Sequence, residues 1–97
     1  MEKKIRLISA LKVHKDSISH LKFSANHTLI GCVSHAGDIF FLTYNESNYE
    51  IIPYCFFETG FMINSINFSL NNSILLLGTQ AGHVIELKVP KFNDCNF

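Results

Sequence analysis

Charge is scarce in this chain. Asp, Glu, Lys and Arg make up 16% of its 97 residues, against roughly 25% in an average soluble domain. The eight basic and eight acidic side chains cancel, so the strong net field of a general nucleic-acid or anionic-membrane binder is missing. No Lys or Arg stands between Lys22 and Lys88, and Phe40, Phe41, Phe56 and Phe57 all fall in that interval. Basic and aromatic side chains are therefore not interleaved as a single-stranded nucleic-acid groove requires, and these four aromatics are expected in the core. Cys32, Cys55 and Cys95 are odd in number and share no metal or redox spacing, a pattern that fits a reducing compartment. Gly31, Gly37, Gly60, Gly78 and Gly82 are too scattered to cradle a phosphate. Long apolar runs are missing too: residues 1–13 are too short and interrupted for a signal peptide or a membrane span. A cytoplasmic chain with no membrane partner is expected.

What is present is apolar. Hydrophobic residues reach 47%, although a chain of this size buries only somewhat over roughly 60% of its unfolded surface. Part of that surface expects a partner. Lys3, Lys4, Arg6, Lys12, Lys15 and Lys22 hold most of the positive charge, facing an acidic middle of Asp38, Glu46, Glu50 and Glu58. Such a basic edge suits a solvated strand rich in lysine, or a surface that steers a partner.

The chain also says one thing twice. Residues 18–43 lie on residues 63–88 without a gap after a shift of 45. Ile18 falls on Ile63, Phe23-Ser24 on Phe68-Ser69, Asn26 on Asn71, Ala36-Gly37 on Ala81-Gly82 and Leu42 on Leu87. Most other pairs keep their character, such as Leu21 with Ile66, Leu29 with Ile74, Ser34 with Thr79 and Ile39 with Val84. A repeat of about 40 to 45 residues has the length of a propeller blade.

Read in order, residues 5–13 suit either a helix or a strand, and their place in the repeat favours a strand. Residues 18–23 alternate with a period of two, Leu21 and Phe23 against His20 and Lys22, as a strand does. Asn26 and Asn71 sit where a hairpin reverses, since Asn tolerates left-handed backbone angles and bonds its own backbone. Residues 29–33 and 74–77 are short apolar runs, expected of strands covered on both faces. Gly37 and Gly82 are expected at positive φ in the next turns. Third strands follow at 38–43 and 83–88, then a polar loop at 44–49. A fourth strand at 50–57 carries Pro53, which belongs at an outer edge or a bulge.

These residues resemble the WD40-repeat β-propellers. His14, Ile18, Phe23-Ser24, Ser34 and Gly37 match the recurring blade pattern, as do Ile63, Phe68-Ser69, Thr79 and Gly82. The chain departs from it at Leu42-Thr43 and Leu87-Lys88, where the family has Trp-Asp, at Ala36 and Ala81 in place of a turn Asp, and at Thr59 in place of His. Only His14 and Ser34 of the family's buried polar network remain together, so the sheets are expected to rely on apolar packing. The resemblance implies an all-β fold of two four-stranded antiparallel blades, a partial propeller. The chain is then a single segment 1–97, with copies at about 14–58 and 59–90 and a tail at 91–97. A narrower likeness of residues 75–90 to divergent WD-repeat proteins of cilia and flagella implies an axonemal location.

Two blades do not close a ring of four to eight, so the missing faces are expected from further blades of a longer protein or from self-association. The function expected is a non-catalytic protein-protein interaction scaffold, with no cofactor, metal or nucleic acid. By the resemblance, the partner face gathers Lys15, Asp16, His35, Asp38, Phe61, Met62, Gln80 and His83. Phe61 and Met62 are its apolar anchors, since such groups carry disproportionate binding energy. Ser34, His14 and Asp38 have the residue types of acyl transfer, which keeps open a hydrolase-like small β-domain. A self-assembling small β-domain is the other alternative. His35 and His83 without further ligands make a poor zinc site.

Overall fold

The structure, a computed structural model, describes residues 7, 8 and 10–92. Among these residues seven strands make two antiparallel sheets, all-β and not closed on one another. The first holds β1 (Ile18–Phe23), β2 (Leu29–Ser34), β3 (Asp38–Asn45) and β4 (Glu50–Glu58) in the order β1-β2-β3-β4. The second holds β5 (Ile63–Phe68), β6 (Ile74–Thr79) and β7 (Val84–Lys88) in the order β5-β6-β7. No helix among the described residues is long and apolar enough to cross a membrane.

The repeat in the sequence is a repeat in register. Ile18 pairs with Ser34 and His20 with Val33, a bulge intervening; Ile63 pairs with Thr79 and Ser65 with Gly78 across the same bulge. Turn chemistry repeats as well. Asn26 Oδ1 accepts from Ser24 Oγ at 2.8 Å and from the amide and hydroxyl of Thr28 at 3.2 and 2.7 Å. Asn71 Oδ1 accepts from Ser69 Oγ at 2.8 Å and from the amide and hydroxyl of Ser73 at 3.1 and 2.7 Å. One carboxamide oxygen thus staples each reversal. The left-handed residue is the next one, His27 at φ 59° and Asn72 at φ 62°, so Asn26 and Asn71 act through their side chains and not through their own backbone angle. Gly37 and Gly82 do take positive φ, 92° and 93°.

Strand alternation gives each sheet two faces. On the first sheet, Val33, Ile39 and Phe41 face the second sheet and pack with its Ile63, Ile66, Leu75 and Leu77 in one core, joined by Tyr54 and Val89. Gly31 makes room there: a methyl group on it would stand 3.4 Å from the Phe68 ring. Ile30, Cys32 and Leu42 lie on the opposite face of the first sheet, with the partly buried Val13, Phe40, Tyr44 and Ile51 packed against them. Every buried side-chain polar atom among the described residues has a hydrogen-bond partner.

Several expectations are corrected. Residues 7, 8 and 10–13 form no strand; residues 5, 6 and 9 lie outside the described ones. The second sheet has three strands among the described residues and not four. β6 is covered on one face only, with Leu76 exposed, whereas β2 is buried on both. Phe41 is core, but Phe56 and Phe57 are exposed, because β4 is the outer strand. Pro53 sits where that strand bulges: pairing passes from Phe41 with Cys55 to Leu42 with Pro53, skipping Tyr54. The polar loop is shorter than expected, since Tyr44 and Asn45 extend β3. Cys32 is free and buried, but Cys55 is disulfide-bonded, against the expectation of unpaired thiols.

Equivalent positions differ in burial by the presence of a neighbouring sheet. Ile66 is 5% exposed and its repeat image Leu21 55%. Ile66→Ala should cost about 2–4 kcal/mol, as buried truncations do, and Leu21→Ala no more than about 0.5 kcal/mol. Urea denaturation of both variants checks this.

Candidate interaction surface

The acyl-transfer residue types are used by the scaffold. His14 is buried, its Nε2 donating to the Cys32 carbonyl at 3.1 Å; since a carbonyl only accepts, the ring proton sits on Nε2. That ring meets Phe40 at a steep angle, 73° between planes with centroids 5.1 Å apart. Ser34 Oγ accepts the Asp38 amide at 3.2 Å, closing the turn that Gly37 permits. Thr79 Oγ1 accepts the His83 amide at 2.9 Å in the same way. The same hydroxyl-to-amide bond recurs at this point of the repeat, although Thr59 replaces His14 in the second copy, so the bond belongs to the turn.

Both strand-two-to-three turns and both strand-one entries gather at one end of the sheets. The His35 amide donates to the Ser17 carbonyl at 2.8 Å, and the Gln80 amide to the Met62 carbonyl at 2.9 Å. The first bond brings His35 beside the segment of Lys15 and Asp16, all three exposed. Asp16 Oδ1 accepts the Ser17 amide at 2.8 Å. Asp38 is half-buried at the start of β3. In the second sheet, Phe61 stacks at a tilt on His83, centroids 5.2 Å apart, with Met62 and Gln80 exposed alongside. The eight residues expected at the partner face thus form two groups, one per sheet. No three His, Cys, Asp or Glu side chains converge as metal ligands among the described residues.

Three side chains that the sequence did not mark as contacts tie distant segments together. Thr59 Oγ1 donates to the Gly37 carbonyl at 2.8 Å and accepts the Phe61 amide at 3.1 Å. A side chain on Gly37 would collide with the Phe61 carbonyl and with Thr59, so this glycine is needed for a close approach as well as for its φ. Asn72 Oδ1 accepts the Ala25 amide at 2.7 Å, joining the two Asn-stapled turns at the other end. Tyr54 donates from its phenol to the Pro90 carbonyl at 2.8 Å. Thr59 stood in the sequence only as a departure from a His, and no local pattern signals a contact 22 or 47 residues away.

Compared with known proteins, the chain matches no family model, no curated protein and no solved structure.

Burial pushes the Tyr54 phenol up to about 12. The fold favours the neutral phenol, so its stabilising contribution is whole below about pH 10, where the unfolded phenol titrates, and is lost as pH rises through about 12. Denaturation between pH 9 and 12 should show that decline in the native chain. Tyr54→Phe, which costs about 1 kcal/mol at neutral pH through the lost hydrogen bond, should flatten it.

Proposed function

We propose that the chain is a non-catalytic interaction module, a two-blade segment resembling part of a WD40 β-propeller that presents turns and an open sheet face to protein partners. One observation carries the reading. The stripe that glues the second sheet to the first, Ile63, Ile66 and Phe68, has its repeat image in Ile18, Leu21 and Phe23, and that image is exposed. An apolar stripe built to the same pattern as a buried one is a docking face awaiting cover. The remaining blades of a larger propeller, or association of chains, supply that cover. The exposed turn residues Lys15, Asp16, His35, Gln80 and Met62, with Asp38, Phe61 and His83, are the partner-contacting set at the sheet ends. The scaffold works in the cytoplasm, with the axoneme as its narrower location. The disulfide at Cys55 withdraws the thiol argument for a reducing compartment, so this placement rests on the resemblance alone.

The competing hydrolase reading requires a free Ser34 nucleophile with His14 as its base. Against it stand the bonds that engage Ser34 Oγ with the Asp38 amide and His14 Nε2 with the Cys32 carbonyl. Hydrolysis of p-nitrophenyl acetate by the native chain and by Ser34→Ala separates the two. The interaction module predicts equal, background rates and a loss of about 1 kcal/mol in stability for the variant. Turnover that disappears in a folded Ser34→Ala would establish the hydrolase instead.

A further inference from the structure

The internal interface specifies what its exposed repeat image accepts. Phe68 lies over Gly31, whose cross-strand partner is Phe41, and Ile63 and Ile66 pack with Val33, Ile39 and Phe41. Shifted by one repeat, Phe68 becomes Phe23 and the receiving pair Gly31 and Phe41 becomes Leu76 and Glu86, which are cross-strand partners in the second sheet. Both are exposed there, as is Val84 at the place of Ile39. The second sheet's outer face is therefore the wrong mate for the first sheet's stripe. Leu76 fills the space a ring needs, and Glu86 sets a carboxylate where Phe41 stood, a charge that docking would bury without a partner.

We infer that the Ile18–Leu21–Phe23 stripe is a docking face for a β-sheet of another sequence. That sheet presents glycine or alanine opposite Phe23, and apolar side chains at the places held by Ile39 and Phe41 in the internal interface. Head-to-tail stacking of this chain on itself, second sheet to first stripe, is blocked by Leu76 and Glu86. This deepens the interaction-module reading by naming the chemistry of the partner, and it separates a neighbouring blade of different sequence from a ring of identical chains.

The chain can serve as its own probe. Leu76→Gly with Glu86→Phe rebuilds on the second sheet the surface that receives Phe68 on the first. Sedimentation velocity of the full chain should show the double variant shifting to at least twice the native mass, and adding Leu21→Lys should return it to the native value. If circular dichroism shows that Leu76→Gly has cost the fold, Leu76→Ala with Glu86→Phe takes its place and is read the same way. A double variant that sediments like the native chain overturns the inference. So does a native chain that is already an oligomer and dissociates on Leu21→Lys, since a second copy would then cover the stripe. Neither result touches the ester assay, so this inference and the interaction-module reading fail separately.

Discussion

The structure depends on one buried seam. Ile63, Ile66, Leu75 and Leu77 of the second sheet close against Val33, Ile39 and Phe41 of the first, the larger of the two buried apolar clusters among the described residues. Removing a branched side chain from water yields about 1.5–3 kcal/mol, so the seven residues of this seam together outweigh any single hydrogen bond nearby. Gly31 lets the Phe68 ring lie close over the first sheet, leaving space for a methyl group in ordinary contact at 3.4 Å and no more. Neither sheet is covered on both faces without its neighbour, and a small all-β chain cannot spare that burial.

The polar contacts align what the seam holds. Asn72 on Ala25 and Tyr54 on Pro90 join the two sheets at two separate places, and Thr59, just after β4, ties the Gly37 turn to the Phe61 segment that enters β5. Each bonds a main-chain group, so each fixes backbone to backbone through one side chain, contributing about 1 kcal/mol net. Their value lies in geometry: apolar packing is non-directional, and these bonds select one rotation of sheet on sheet. The turns at the sheet ends inherit their positions from that rotation.

The polar residues that a sequence reader would assemble into a catalytic set are spent closing turns and tying the entry segment to β2. What the molecule offers outward is an apolar stripe, an outer strand with Phe56 and Phe57 exposed, and two turn clusters. Its open faces differ, with Leu21 and Phe23 exposed on the first sheet and Leu76 and Glu86 on the second.

Local chemistry was legible in the sequence because it is written within a few residues. Alternation placed β1, the Asn staples and glycines marked the reversals, Pro53 marked the outer strand, and the period of 45 announced two related sheets. Which copy of each repeated residue is buried was not legible, since Leu21 and Ile66 carry the same local signal and differ only in having a sheet beside them. The same holds for Phe56 and Phe57, for the missing strand at residues 10–13, and for Thr59, Asn72 and Tyr54, whose partners are distant in sequence. Strand and turn preferences arise from nearest neighbours along the chain; burial and inter-sheet bonds arise from neighbours in space, and only tertiary packing decides those.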